Sequence, residues 1–221
     1  MNLDSLIISV SDDVNELPEP IKRHIEEITS SEYTHRDGEV HVTELLYCLR
    51  KAYYRRTAEK NGENVEKELK NRWWLYRGVV FDELWTGLFP KNQVRITHRI
   101  PNGPVIVGKI DFIYEDTVYD LKTISNEYAV RDGPKEEHVK QVLFYAWVNN
   151  TPKASLIYVW LGGVKIFLID TSRAYEVVKE LEERAMKLWT ALREMKPPER
   201  EESWQCKYCE FKDICLRGGI E

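Results

Sequence analysis

Two short apolar segments joined by an acidic dipeptide constrain the fold of this chain most strongly. The stretch from Gly108 to Thr123, GKIDFIYEDTVYDLKT, alternates apolar and polar residues on both sides of Glu115-Asp116, a pattern typical of a β-hairpin with a tight loop. If that dipeptide is a two-residue loop, Asp111 lies directly opposite Asp120 on the same face, with their β-carbons about 5 Å apart. The sequence therefore predicts two facing carboxylates.

This acidic hairpin indicates a metal site. Like charges placed opposite each other destabilise a strand pair, so a bridging cation would explain Asp111 and Asp120. Lys122 follows Asp120 by two residues and therefore shares its face. Two carboxylates can hold Mg²⁺ or Mn²⁺, the metal can acidify a water, and the lysine can orient the attacking hydroxide during phosphodiester hydrolysis. The alternative is an edge hairpin with solvated charges.

The hydrophobic periodicity around the hairpin predicts an α/β fold built on one small mixed sheet. Strands are expected between Gln93 and Lys122 and in a second pair joined at Gly162-Gly163. Thr43 is read as the N-cap of a helix that contains Cys48. The predicted elements are helices at Pro20–Thr29, Thr43–Arg56, Val65–Leu88, Gly133–Asn149 and Ser172–Glu194 and strands at Ala154–Trp160 and Lys165–Asp170.

Composition favours a single globular domain. The chain has 221 residues, 43% of them hydrophobic and 31% charged, which suits one buried core. Its first residues lack a basic region before their apolar stretch and soon turn acidic, unlike a signal peptide, and no apolar run could span a membrane, so we expect a cytoplasmic protein. The net charge of −5 argues against a protein that coats nucleic acid, but a local basic track remains open.

Four arginines are candidate DNA-binding residues. Arg50, Arg55 and Arg56 belong to a basic run that contains no acid, and Arg77 follows on the next predicted helix. The alternative is that they form solvated helix faces. Three aromatic residues, Trp73, Trp74 and Tyr76, are candidates for stacking on unpaired bases, although packing in the core is the better explanation for at least two of the three.

The four cysteines predict a metal or cluster site. Cys48 stands alone, and Cys206, Cys209 and Cys215 form a C-x₂-C-x₅-C group near the end of the sequence. Disulfides are not expected in a cytoplasmic chain. Four thiolates suit either zinc or an iron–sulfur cluster. One remote cysteine with a terminal trio favours the cluster, whereas zinc sites more often use two CxxC pairs.

Several motifs carry a resemblance to a known family. The Asp-x₈-Asp-x-Lys spacing resembles the PD-(D/E)xK nucleases, with Ile110 in place of the usual proline. Gln141 and Tyr145 share a helix face and resemble the Gln-x₃-Tyr motif of RecB-like nucleases. That resemblance implies that the pair supports the metal site, so Gln141 and Tyr145 join Asp111, Asp120 and Lys122 as candidate catalytic residues.

The segment RGVVFDEL, residues 77–84, resembles the RecB-type helix Arg-Gly-x₃-His. Asp82 stands where that family has a metal-ligand histidine. The resemblance implies that Asp82, Asp111 and Asp120 bind the metal together, since a carboxylate is also a good ligand for Mg²⁺ or Mn²⁺. A plain surface acid, or a one-residue slip that turns Phe81 or Glu83 inward, is the alternative.

One cysteine before the nuclease motifs and three after them resemble the iron–sulfur RecB-like exonucleases, including the AddB-type nucleases and, most of all, the CRISPR-associated Cas-four family. The resemblance implies a restriction-endonuclease-like α/β core with a small mixed sheet flanked by helices. Residues 41–221 would form a single RecB-like nuclease domain, in which residues 41–60 and 197–221 form an iron–sulfur subdomain. Residues 1–40 are an N-terminal extension of unknown role.

That family resemblance also implies a function. The expected activity is metal-dependent exonuclease cleavage of single-stranded DNA, 5′ to 3′, in CRISPR spacer acquisition beside the integrase proteins. Expected cofactors are Mn²⁺ or Mg²⁺ and an iron–sulfur cluster, 4Fe-4S favoured over 2Fe-2S, bound by Cys48, Cys206, Cys209 and Cys215. No membrane partner is expected, and a homo-oligomer stays open.

Two rival functions deserve a comparison with this one. A non-catalytic iron–sulfur or zinc DNA-binding module could hand DNA to partner proteins, with Asp82 marking a decayed site, but the joint presence of Asp111, Asp120 and Lys122 counts against it. An electron-transfer protein would need neither the acidic hairpin nor the Gln-x₃-Tyr helix. A nuclease in which zinc replaces the cluster is a smaller variation.

Overall fold

The structure is a computed structural model that describes residues 13–30, 35–62 and 69–217. Within these ranges the strands are β1 Glu39–His41, β2 Asn92–Arg99, β3 Val105–Tyr114, β4 Thr117–Thr123, β5 Lys153–Trp160 and β6 Gly163–Ile169. The helices are α1 Glu19–Thr29, α2 Val42–Leu45, α3 Leu49–Lys60, α4 Leu69–Thr86, α5 Glu136–Val148, α6 Ala174–Glu194 and α7 Lys212–Arg217. The α/β class expected from the sequence is confirmed.

All six described strands join one mixed sheet, in which β3 pairs with three others, β1, β2 and β4. One edge of β3 pairs antiparallel with β2 along most of its length. Its other edge is shared between two strands, with β1 parallel at residues 105–107 and β4 antiparallel at residues 112–114. Residues 108–111 therefore lie at a gap between β1 and β4. From β4 the sheet continues through parallel β5 to antiparallel β6.

The predicted acidic hairpin is confirmed. Tyr114 pairs with Thr117, and the loop residues Glu115 and Asp116 have φ angles of 44° and 57°, as in the tight turns that match the twist of a hairpin. The strand pairing ends at Phe112–Tyr119, one step before Asp111 and Asp120 would pair. The two strands thus separate where the acidic side chains lie.

Helices cover both faces of the sheet. On one face α5 and α6 pack over the larger core, which includes Phe144, Leu156 and Leu181. On the other face α4 places Phe81 and Trp85 against a smaller cluster formed by Phe112, Leu121, Ile157 and Val159. Helix α5 connects β4 to its parallel neighbour β5, the usual arrangement for a parallel pair. The prediction of a mixed sheet flanked by helices is confirmed.

The prediction that Cys48 lies inside a continuous helix is wrong. Helix α2 ends at Leu45, and Cys48 is the N-cap of α3. Arg184 of α6 explains the break, because its guanidinium donates hydrogen bonds to the carbonyl oxygens of Leu45 at 2.5 Å and Tyr47 at 2.6 Å. A continuous helix would use those oxygens for its own backbone bonds. The cap of α2 is His41, not Thr43.

The other predicted elements differ from the observed ones only at their ends, but β1 and α7 were not predicted. The second hairpin turns at Leu161-Gly162, because Trp160 pairs with Gly163. The helix predicted at Val65–Leu88 is observed as α4, and residues 65–68 of that prediction lie outside the described residues. Among the residues described, no helix combines the length and apolar character needed to cross a membrane.

Candidate active site

The gap in the sheet brings together the predicted carboxylates and lysine. Asp120 is fully buried on β4, with 0% of its surface exposed, and the Lys122 ammonium lies 2.8 Å from its Oδ2. On β3, Asp111 accepts a hydrogen bond of 2.6 Å through Oδ2 from the backbone N–H of Leu121. This hydrogen bond joins β3 to β4 beyond the point where their backbone pairing ends.

The protein does not supply enough hydrogen bonds and positive charge to offset the burial of the Asp120 carboxylate. Among the described residues, neither oxygen of Asp120 accepts a hydrogen bond of good geometry, although Lys122 is close to Oδ2. Burial raises the pKa of Asp120 above its usual value. Burial first, and the Asp120 charge second, raise the pKa of Asp111 to about 7. One ammonium therefore faces two carboxylates, Asp120 fully buried and Asp111 half-buried, and their free oxygen atoms fit a divalent cation.

Lys122 remains charged in this setting. Burial lowers the pKa of its ammonium, but the Asp120 and Asp111 carboxylates outweigh burial and raise that pKa above the usual value. A lysine held protonated cannot serve as a general base at neutral pH. It can orient a nucleophile and attract a phosphate oxygen.

Gln141 and Tyr145 meet at the same gap, as their helical spacing predicts. The Gln141 amide donates a hydrogen bond of 2.9 Å to the Tyr145 hydroxyl, and burial, followed by the Asp120 charge, raises the pKa of Tyr145. The ring lies so close to β3 that a β-carbon at Gly108 would stand 2.6 Å from its Cε1 atom. A glycine at that position lets the tyrosine reach the acids.

Asp82 faces the site from α4, but the protein already occupies one of its oxygens. The Gln93 amide donates a hydrogen bond of 2.8 Å to Asp82 Oδ2. Burial raises the pKa of Asp82, and Lys109, Lys122 and Asp120 are near enough for their charges to act on it. Glu83 is exposed, so the helix turns Asp82 inward rather than its neighbour.

The three predicted metal ligands do not form a closed set. Within the part of the chain that the structure describes, no group of three or more His, Cys, Asp or Glu side chains is placed to hold a metal ion. Asp111 and Asp120 are brought together, whereas Asp82 is nearby and bonded to Gln93. The two facing acids alone fit a site for Mg²⁺ or Mn²⁺, since such ions need few protein carboxylates when phosphate and water supply other ligands.

Three aromatic or imidazole side chains near the acids had no role in the sequence prediction. Tyr47 is half-buried, and Glu137, Lys122 and Asp120 lie near enough to influence it. The Tyr158 hydroxyl accepts the Lys135 N–H at 3.1 Å and lies 2.8 Å from His138 Nδ1. Burial and then Lys122 lower the pKa of His138 to about 3, so it is neutral. Only His138 had a sequence signal, its position one helix turn before Gln141.

The four predicted DNA-binding arginines each have a partner within the protein. Arg56 donates to both carboxylate oxygens of Glu44 and is 10% exposed, and Arg50 is buried beside Tyr54. Arg55 pairs with a tail residue, Glu210. The Arg77 guanidinium lies 5.0 Å from the centre of the Trp74 ring. Their contact with DNA stays a prediction, and Arg55, with 40% of its side chain exposed, is more accessible than Arg50 or Arg56.

The four cysteines lie around one small cavity of about 60 Å³. Cys48 comes from the start of α3, and the tail supplies Cys206, Cys209 and Cys215, all half-buried and none in a disulfide. Glu210 holds the tail against α3 through Lys51 at 2.9 Å and Arg55 at 2.5 Å. The structure thus brings the predicted ligands to a common cavity, although no three of these described thiols are placed to hold one metal ion.

The sequence matches the PD-(D/E)XK nuclease superfamily over residues 9–216, and no curated protein matches the chain. Its fold is similar to the crystal structure of SSO0001, with a TM-score of 0.64 and 20% identity over 89% of this chain and 94% of that one. An alkaline exonuclease (LHK-Exo) from Laribacter hongkongensis gives a TM-score of 0.49 and 13% identity over 77% and 95% of the two chains. Because the family match spans most of its length, the chain belongs to the PD-(D/E)XK nuclease superfamily.

Proposed function

We propose that this protein is a metal-dependent deoxyribonuclease. The observation that carries the proposal is the pair of acids, fully buried Asp120 and half-buried Asp111, beside a protonated Lys122 at a gap in the sheet. A folded protein keeps two such carboxylates away from water only at a considerable cost in stability. A site for a divalent cation and a phosphate group accounts for that cost.

The residues that line the gap have different roles in the proposed hydrolysis. Asp111 and Asp120 would hold Mg²⁺ or Mn²⁺, which when bound supplies an acidified water and neutralises phosphate charge. Lys122 donates hydrogen bonds to the nucleophile or to the phosphate and stabilises the negative charge that develops there. Tyr145, fixed by Gln141, limits where the substrate backbone can lie. Asp82 would complete the metal site once its bond to Gln93 rearranges.

The finer assignment rests on the arrangement of the motifs in the sequence. One cysteine before the nuclease residues and three after them resemble the Cas-four family, and we extend the proposal accordingly to 5′ to 3′ exonuclease cleavage of single-stranded DNA. A role in CRISPR spacer acquisition, in association with integrase proteins, belongs to the same proposal. So do Arg55 and Arg77 as contacts for the DNA backbone.

The cysteine cavity supports an iron–sulfur cluster as part of this proposal, with 4Fe-4S favoured. Lys51 lies near Cys209 and Arg50 near Cys48 and Cys215, and their positive charges would offset those of four thiolates. A cluster presents a separate iron to each cysteine, so its ligands stand farther apart than around one zinc ion. Thiols spread around a common cavity fit the larger group better. Its role is structural, since it would join the tail to α3.

A cleavage assay tests the nuclease proposal. Protein purified without oxygen is incubated with end-labelled single-stranded and duplex DNA, in Mn²⁺ or in EDTA, with either the 5′ or the 3′ end blocked. We expect Mn²⁺-dependent release of nucleotides that a blocked 5′ end prevents. Asp120→Asn should abolish cleavage, whereas Asp116→Asn in the exposed hairpin loop should not. Equal cleavage by wild type and Asp120→Asn would refute the proposal. Binding of DNA without cleavage would favour the DNA-binding module instead.

The visible spectrum tests the cluster independently of activity. We expect broad absorbance near ~400 nm, together with iron and acid-labile sulfide, as thiolate-held clusters show. Cys48→Ala should weaken cluster retention as severely as Cys209→Ala, because both would be direct ligands. Colourless protein with one zinc and no sulfide would show that the cavity holds zinc.

A further inference from the structure

Tyr47 stands between the cysteine cavity and the nuclease site. Its chain neighbour Cys48 lines the cavity. Tyr47 and Cys48 both line the adjacent groove, together with Glu137 and Arg184, and Tyr47 is near enough to Lys122 and Asp120 for their charges to act on its hydroxyl. Cys48 therefore lines both the cavity and the groove, and its neighbour Tyr47 lies near the nuclease site.

One guanidinium fixes the backbone at this point. Arg184 Nη2 donates to the Tyr47 carbonyl at 2.6 Å, and Nε donates to the Leu45 carbonyl at 2.5 Å. The same group bonds both carboxylate oxygens of Glu201, at 3.1 and 3.0 Å, just before the cysteine-bearing tail. Arg184 thus connects α6, the segment that carries Tyr47, and the tail. Such a bidentate, partly buried pair restrains geometry more than a single bond would.

The Tyr47 hydroxyl is available for a ligand. Among the described residues none forms a hydrogen bond with it, in contrast to Tyr145 and Tyr158, whose hydroxyls are both bonded. A phenol is protonated throughout the neutral range, so this hydroxyl can act as a hydrogen-bond donor.

We propose that Tyr47 contacts the substrate in the nuclease site, with its hydroxyl donating to a phosphate oxygen, and that Arg184 and Cys48 position it there. The proposal rests on the proposed nuclease function. It gives the cysteine cavity a second effect besides holding the tail. A filled cavity restrains Cys48, and hence the backbone of the next residue, so that loss of the cluster would loosen Tyr47 without touching Asp111 or Asp120.

Removal of one hydroxyl tests the contact. Tyr47→Phe keeps the ring, so we expect an unchanged spectrum, an unchanged melting temperature and an unchanged Mn²⁺ requirement, but a fall in kcat/KM of about tenfold, the loss typical of a hydrogen bond to a charged group. The control is Tyr175→Phe, since that exposed tyrosine lies on α6. Wild-type kcat/KM in Tyr47→Phe would overturn the proposal. It would also be overturned if Tyr47→Phe lost the visible absorbance of the cluster.

The positioning role of Arg184 is tested through Tyr47. Arg184→Met should lower kcat/KM while KM for DNA changes less than kcat, and Arg184→Lys should restore part of the loss. The double variant Arg184→Met/Tyr47→Phe should be no slower than the slower single variant, because both act through one hydroxyl. Additive losses would overturn this coupling. Arg193→Met is the matched control, since Arg193 of the same helix is exposed and stacks on Trp189.

Two further measurements distinguish failure of this inference from failure of the nuclease proposal. If Arg184→Met does not fold, Glu201→Gln weakens the same link and should show the same non-additivity with Tyr47→Phe. Activity that survives in Asp120→Asn would refute the nuclease proposal and this inference together. Inactive Asp120→Asn with fully active Tyr47→Phe would overturn this inference alone.

Discussion

Neutralising Asp111 should stabilise the metal-free protein, and the gain should grow with pH. The pKa of Asp111 is raised from 3.8 to about 7 by burial and by Asp120. The folded protein therefore binds this proton more tightly than the unfolded chain does. The resulting stability is fully present below the unfolded pKa and is lost as pH rises through 7. Asp111→Asn removes that dependence, and its Oδ can still accept the Leu121 N–H.

The magnitude follows from the two pKa values. Each pKa unit corresponds to about 1.4 kcal/mol. Relative to wild type, Asp111→Asn should gain about 1 kcal/mol at pH 4.5 and about 4 kcal/mol at pH 8.5. For a chain of this size, the larger gain corresponds to a rise in melting temperature of roughly 8–16 °C. His138, whose pKa is lowered to about 3, contributes equally to both proteins and cancels in the difference.

Thermal unfolding in EDTA at several pH values, with the cysteine site intact, provides the assay. Asp116→Asn is the control, because that carboxylate is exposed in the hairpin loop. At pH 8.5 and one hundred times its Kd, Mn²⁺ bound to native wild type should reduce the advantage of Asp111→Asn from about 4 to about 1 kcal/mol, since a ligand that binds only the native state stabilises it by about 2.7 kcal/mol at that concentration. Parallel pH curves for wild type and Asp111→Asn would refute the electrostatic account.

Two further changes probe the edges of the site and of the cavity. Asp82→Ala should raise the Mn²⁺ concentration needed for cleavage several-fold, and Asp82→His should keep substantial activity; unchanged metal titrations for Asp82→Ala would exclude it as a ligand. Glu210→Gln should speed loss of the visible chromophore in air while the melting temperature of the core falls only slightly, because partly exposed ion pairs contribute about 0–1 kcal/mol each. Glu176→Gln, an exposed acid of α6, is its control, and equal bleaching rates would contradict the role of Glu210 in holding the tail.

Local sequence signals were sufficient for the centre of the site. The hairpin is specified by a two-residue loop and by alternation over a few residues on either side, so Asp111, Asp120 and Lys122 could be placed without the rest of the fold. Helical spacing places Gln141 and Tyr145 on one face, and the resemblance to the Gln-x₃-Tyr motif assigned that face to the site. Asp82 was identified by the resemblance of its segment to the RecB-type helix, whereas its hydrogen bond to Gln93 depends on β2 and could not be foreseen.

Long-range contacts account for what the sequence did not reveal. The helix through Cys48 is interrupted by Arg184, which lies 137 residues beyond Tyr47, and no local pattern predicts that contact. Likewise the basic run around Arg56 suggests an open surface, but Glu44 on another helix binds that guanidinium. Tyr47 gave no spacing signal at all, because its place beside the acids depends on how α2 and α3 meet.

The docking of the tail on α3 has a consequence for the order of events during synthesis. Arg55 and Glu210 are separated by 155 residues, which a ribosome adds in about 8–30 s at 5–20 residues per second. For most of that interval Cys48 has been synthesised and its three companion thiols do not yet exist. Assembly of the proposed cluster in this cavity must therefore follow translation of the whole nuclease core, and once Cys48 leaves the ribosome it is open to oxidants or to stray metal ions until then.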